Sequence, residues 1–222
     1  VDRAVTVAMT EPRGPVYLSL PREVLAESPG EFTFQSPTRR VAAHGSAPDP
    51  AALDEAAEIL AAAENPLIIT ASVGQNRAAV PALESLAERY ALPVITYRPR
   101  YVNISSDHPM HMGYEPGAYL PNVDAVLVVD CDVPWIPSLH KLNPDARVVH
   151  IGSDPHFENY PVRGFPCDLA IRASAGTALP QLEEAMSSRE KSAKDRIDAR
   201  RKKIADIKGD QAAANQARIE RI

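Results

Sequence analysis

Apolar positions along the chain fall into short continuous runs separated by stretches with helical spacing. PLIITA (66–71), LPVITY (92–97), DAVLVVDCD (124–132), ARVVHIGSD (146–154) and CDLAIRA (167–173) each have an apolar centre with little polar alternation. That is the pattern of strands buried on both faces. Between them, AALDEAAEILAAAE (51–64) and RAAVPALESLAERY (77–90) repeat apolar residues three and four apart. In the second, Val80, Leu83, Leu86 and Ala87 share one helix face. Asp49 and Pro50 form an N-cap followed by proline at the first helical position, and Asn65-Pro66 stops that helix. SVGQN (72–76) is a strand-to-helix turn, and PWIPSLHKL (134–142) a short helical or turn segment.

This alternation predicts an α/β fold: a Rossmann-like, doubly wound parallel sheet of about six strands with helices on both faces, over residues 48–187. Leu67, Ile68, Ile69, Val94, Ile95, Val126, Leu127, Val128, Val148 and Val149 are its expected core. Upstream, GPVYLSLPREVL (14–25) places a short apolar run, Val16 to Leu20, between turn residues and predicts a buried strand. Residues 1–13 resemble the end of a helix, so the sheet of that strand is expected upstream, with the chain starting inside a domain. Residues 26–47, with two Ser-Pro pairs and a short extended FTF (32–34), form a linker.

The segment 188–222 differs in charge. It carries eleven Lys and Arg against six Asp and Glu, in a chain whose net charge is −5. With no aromatic residue and few isoleucines it cannot build a core of its own, which predicts a solvated helix or a disordered linker. Interleaved acids favour an interdomain helix over a nucleic-acid surface.

Composition adds exclusions. At 222 residues with 45% hydrophobic and 24% charged residues, the chain suits one buried domain plus appendages. Cys131 and Cys167 lack any metal or disulfide spacing, so two buried reduced thiols in a cytoplasmic protein is the expectation. No apolar run reaches the ~18 residues of a membrane span.

Candidate chemistry lies where parallel strands end, since ligands of open α/β sheets bind at that edge. The turn Ser72, Gly74, Gln75 and Asn76 presents helix-start amides to an anion, or is an ordinary turn. The loop around Met112 and Gly113 lies nearby. Asp130, Asp132 and Asp154 close their strands as acceptors for ribose hydroxyls, or as turn and cap residues. His108 and His111 in HPMH have no accompanying acid or cysteine, so a packed loop is preferred over a metal site. Trp135, the one tryptophan, is expected in a core or interface.

Four stretches together resemble one family. GPVYLSLPREVL is similar to the closing strand of the first domain of thiamine diphosphate-dependent enzymes of the acetolactate synthase and pyruvate oxidase group. NPLIITASVGQNRAAVPALESLAERYALPVITY resembles the opening βαβ unit of their central domain. HPMHMGYEPGAYL with NVDAVLVVDCDVPW, and ARVVHIGSDPHF, resemble its later loop and strands. The resemblance implies a non-catalytic central domain between pyrimidine- and pyrophosphate-binding domains, in a homodimer or homotetramer that decarboxylates a 2-keto acid and joins the product to an acceptor. Thiamine diphosphate and Mg²⁺ would be held outside this segment, by an upstream glutamate and a downstream Gly-Asp-Gly motif that residues 1–222 lack.

In relatives the central domain binds FAD, ADP or nothing. Here the turn after the first central strand keeps only Gly74, and Asp130 and Asp132 stand where many relatives have glycine. Weak or no FAD binding is therefore expected, with Arg98 and Arg100 as the cations able to offset the carboxylates. The rival readings are a free-standing nucleotide-binding regulatory module of the same fold and an interaction module using the basic tail.

Overall fold

A computed structural model describes residues 1–33, 42–43 and 45–219. The chain divides into two units, Val1–Ser46 and Ala47–Ile222.

In the first unit, helix α1 (Asp2–Met9) follows the predicted helix end, and a short helix α2 (Arg22–Ala26) occupies Arg22 onward. The expected buried strand is not formed. Val16 to Leu20 run without a ladder, and Tyr17 is 92% exposed. A strand is held by its neighbours' amides and carbonyls, and no described residue offers them here. Phe34 of the extended FTF lies outside the described residues.

The second unit opens with α3 (Pro50–Ala62), whose N-cap Asp49 accepts the Ala51 amide at 2.8 Å. Then follow β1 (Pro66–Thr70), α4 (Ala79–Tyr90), β2 (Val94–Thr96), β3 (Ala125–Val129), β4 (Arg147–Gly152), β5 (Leu169–Arg172), α5 (Ala175–Ser187) and α6 (Glu190–Ile219). The five strands form one sheet, all pairs parallel, in the order β2-β1-β3-β4-β5. All ten residues expected in the core are buried there. The sheet has five strands where about six were expected, and the loop carrying His111 adds a single bridge to it: His111 pairs with Val94, flanked by Val94 N–H to Met110 O and Met112 N–H to Val94 O, both 2.8 Å. That segment runs along the outer side of β2.

The basic tail departs from expectation. It is helical, yet it is not merely solvated: Ala193, Ile197, Arg200 and Ile204 are buried, and Ile207 packs partly against the same core. Those positions repeat at four and three, a narrow seam facing the domain. Arg200, 4% exposed, donates to Leu60 O at 3.0 Å, Tyr90 O at 3.3 Å and Ala63 O. These carbonyls end α3 and α4, where helix geometry leaves acceptors unpaired and the dipole favours a cation. Arg196 reaches Ala61 O at 3.0 Å, and Arg201 reaches Glu88 O at 3.0 Å. Three of the tail's basic residues, Arg196, Arg200 and Arg201, thus serve as helix caps. No helix among the described residues is long and apolar enough to cross a membrane.

Candidate functional site

With this strand order the chain leaves β1 for one flank and returns on the other, so the crevice for a ligand lies where β1 and β3 end. The loops after both strands meet there directly, since the Ser72 amide donates to Asp130 O at 3.1 Å. Asp130 adopts a left-handed backbone with φ of 44°, which short polar residues tolerate better than other non-glycine residues. Ser72 and Asn76 are half-buried and Gln75 is exposed. The Asn76 side-chain carbonyl accepts the Ala78 amide at 3.1 Å, and its amide lies 3.4 Å from Ser174 Oγ.

The turn carrying Gly74 is filled by the chain itself. The segment after β2 folds over it, so that a Cβ on Gly74 would lie 2.8 Å from the Val102 carbonyl carbon and closer still to its oxygen. The Gly74 amide donates to Asn103 Oδ1 at 3.0 Å, and Asn103 Nδ2 donates to Ala71 O at 3.1 Å. The Arg100 amide also reaches Ala71 O, at 3.0 Å. Glycine is needed here because backbone approaches backbone. In this arrangement the amide that would cradle a phosphate is already satisfied, and a flavin or adenine diphosphate does not fit the turn.

The acidic strand ends are separated in role. Asp132 pairs with Arg100, accepts the Tyr160 hydroxyl at 3.0 Å, and accepts the Val133 amide at 3.0 Å. Burial pushes its carboxyl upward, but the Arg100 guanidinium and Tyr160 outweigh it and hold the pKa below the usual carboxylate range. Arg100 thus supplies the pairing expected of it. Arg98 instead stacks over the Tyr97 ring at 5.5 Å, with φ of 48°. Asp154 closes a turn, accepting the Glu158 amide at 3.0 Å on Oδ2, while its buried Oδ1 has no hydrogen bond among the described residues.

Arg163, Tyr160 and Asn103 join this edge without having been singled out from sequence. Arg163 lies between the Phe157 and Phe165 rings at 5.0 and 5.2 Å, donates to Asp132 O at 3.2 Å, and contacts His150 Nδ1 at 3.3 Å. The signal available was the aromatic–arginine–aromatic spacing of 157–165, which reads equally as loop. Buried His150, whose Nε2 lies 3.1 Å from Pro166 O, has its pKa lowered to about 4 by desolvation and then by Arg163.

Gly113, with φ of 101°, accepts the Thr96 amide at 3.1 Å through its carbonyl and stays near this edge. The Met112 side chain does not: it lines a cavity with Pro66, Leu67 and Pro93, at the amino ends of β1 and β2. His111 packs its Nε2 against Thr96 Oγ1 at 3.1 Å, and His108 accepts the Met110 amide at 3.2 Å. No metal-binding cluster occurs among the described residues. Cys131 is buried, with its thiol pushed up to about 12 by desolvation, whereas Cys167 is half-buried rather than fully so. Trp135 is buried edge-on to Phe165.

The family model described as thiamine pyrophosphate enzyme, central domain, matches residues 53–182. Among solved structures, a thiamin diphosphate-dependent enzyme from Mycobacterium smegmatis is 26% identical, with a TM-score of 0.62 over 83% of this chain and 36% of that one. Benzoylformate decarboxylase from Polynucleobacter necessarius is 23% identical, TM-score 0.65, over 83% and 35%. The 4-hydroxybenzoylformate decarboxylase of Rhodococcus jostii RHA1 is 23% identical, TM-score 0.59, over 82% and 36%. The latter two share the fold. This chain spans about a third of the length of each structure.

Proposed function

This chain belongs to the thiamine pyrophosphate enzyme family as its central domain, and from that premise we propose that it is the non-catalytic bridge of a 2-keto acid decarboxylase or carboligase. Thiamine diphosphate supplies the carbanion chemistry in the parent enzyme, in flanking domains of the same chain, and Mg²⁺ would accompany its diphosphate there. An acetolactate synthase-like reaction is the reading taken from the sequence. The two decarboxylases among the structural neighbours are in keeping with the shared 2-keto acid step.

One observation carries the scaffold reading of this edge: the only glycine of the candidate nucleotide turn is packed against the chain's own Val102 carbonyl and capped by Asn103. The charged side chains of Arg100, Asp132 and Arg163 at the carboxyl edge are spent on the protein itself. Arg100 neutralises Asp132, and Arg163 is held between two rings. Their work is to fix the loops after β2, β3 and β4 as one rigid surface. Ser72, Gly74, Gln75, Asn76, Gly113, Asp130, Asp132 and Asp154 then act as scaffold, and Met112 belongs to another wall.

The test is titration calorimetry of this chain with FAD and ADP, beside a 2-keto acid consumption assay with thiamine diphosphate and Mg²⁺ added. Absence of turnover and of submicromolar FAD binding is expected. Submicromolar FAD binding that disappears on Gly74→Val would refute the scaffold reading, as would turnover that survives repurification.

A further inference from the structure

The loop between β4 and β5 is fastened to the sheet by few contacts. Among the described residues, no backbone amide of residues 161–167 donates to a backbone carbonyl, and the next to do so is Asp168, to Val148 O at 2.8 Å. Val162, Gly164 and Pro166 are exposed. What holds the segment is Arg163, which lies between the Phe157 and Phe165 rings, donates to Asp132 O, and meets His150 Nδ1 at 3.3 Å. The hydrogen bonds of His150 fix its protonation state by geometry. Pro166 O only accepts, so Nε2, 3.1 Å away, carries a proton. Arg163 only donates, so Nδ1 carries none. The result is a neutral imidazole with both nitrogens engaged, on a residue 1% exposed. A proton added at Nδ1 would point at a guanidinium that cannot accept it and bears the same charge, in a site closed to solvent.

We propose that His150 and Arg163 form an acid-operated latch: protonation of the buried imidazole expels the Arg163 guanidinium from between its two rings and frees segment 161–167, while the five strands stay paired. The surrounding charges favour this. His156, from the same loop, adds to the opposition, and the Cys167 thiol stays neutral because burial raises its pKa. Asp132 and Asp154 act on Arg163, and Asp132 is already paired with Arg100. The strand neighbours of His150, Val128 on β3 and Ala170 on β5, carry no charge. In place, His150 has a pKa of about 4, against 6.5 when free of the fold. Acid therefore favours the open segment by up to about 300-fold, a gain that begins below about pH 6.5 and is complete near pH 4. The device needs no cofactor and goes beyond the scaffold role, which it confines to neutral pH.

Trp135, the one tryptophan, is buried edge-on to Phe165 at 5.3 Å and so sits beside the latch. Acrylamide quenching of its fluorescence, measured on the full chain across pH 4–7 beside far-ultraviolet circular dichroism, tests the proposal. The quenching constant is expected to rise on acidification with a midpoint between pH 4 and 6.5, while the circular dichroism keeps its neutral value. His150→Gln should hold the low, neutral quenching at every pH, and His156→Gln should keep the transition. Arg163→Ala should show the acid level of quenching already at pH 7. If circular dichroism finds His150→Gln unfolded, His150→Met takes its place. A parent chain whose quenching does not respond to acid, or responds only together with loss of circular dichroism, would overturn the latch. So would an unchanged transition in the His150 variant, or an Arg163→Ala chain that matches the parent at every pH.

Discussion

Replacing Arg200 by methionine keeps most of the apolar stem while removing the charge and every donor. In the native chain the guanidinium satisfies carbonyls of Leu60, Ala63 and Tyr90 at the ends of α3 and α4. A hydrogen bond from a charged donor contributes about 1.5–3 kcal/mol, and each carbonyl left buried and unpaired costs about 1–3 kcal/mol. The favourable placement of a cation at two helix ends adds about 0.3–2 kcal/mol. Against these stands the cost of burying the charge, visible in a pKa lowered to about 10 by desolvation. The balance is a loss of about 2–4 kcal/mol, or roughly 4–16 °C in Tm for a chain of this size. Urea unfolding followed through Trp135 fluorescence gives the value, with Arg201→Met as the comparison. Arg201 also reaches helix-end carbonyls, at Glu88 and Arg89, but from the exposed face, so its loss should cost less than about 1 kcal/mol. If Arg200→Met came within about 0.5 kcal/mol of the parent chain, or if Arg201→Met cost as much, the capping argument would be wrong.

Two further outcomes follow from the core. His150 resists protonation when folded, with a pKa near 4 against 6.5 for the unfolded chain. Its contribution is complete above about pH 6.5 and is lost as pH falls toward 4, about 3 kcal/mol in all. Comparing urea midpoints of the parent and His150→Gln across pH 4–7 reads this directly, and a gap independent of pH would contradict it. Leu127 is fully buried in the middle strand of the sheet, so Leu127→Ala should cost about 2–4 kcal/mol. A loss below about 0.5 kcal/mol would mean its surroundings are looser than described.

The parallel sheet was legible because a strand covered on both faces needs a nearly continuous apolar run; β3 carries one unbroken, and in β4 only His150 interrupts it. Asp49-Pro50 marked the start of α3 for a similarly local reason, since one side chain caps one amide. What escaped was non-local. The seam of α6 is spaced at four and three through Ala193, Ile197, Arg200, Ile204 and Ile207, but an arginine at its centre hides it from a hydrophobic pattern. Only the carbonyls of two distant helices make that position hospitable to a cation. At the candidate site, Gly74 was singled out as a glycine facing a phosphate, and the Val102 carbonyl that packs on it was not foreseen. A glycine requires close approach, and whether phosphate or Val102 makes that approach depends on a loop folding back from nearly thirty residues away. Val16 to Leu20 show the reverse case, where apolar composition predicted a strand that has no pairing partner among the described residues.

The bridge between His111 and Val94 bears on how the domain avoids polymerising. β2 has only three residues, and without cover its outer amides and carbonyls would template another chain's strand. Met110, Met112 and Gly113 occupy those groups, so that margin is closed by the protein's own backbone. The opposite margin is β5, where half-buried Leu169 and Ala170 are followed by exposed Arg172, ion-paired to Glu158. A charge at the end of a four-residue strand is a weaker guard than a paired backbone. Strand-on-strand growth into fibres would therefore begin at β5, and neutralising Arg172 would do more to invite it than any change along β2.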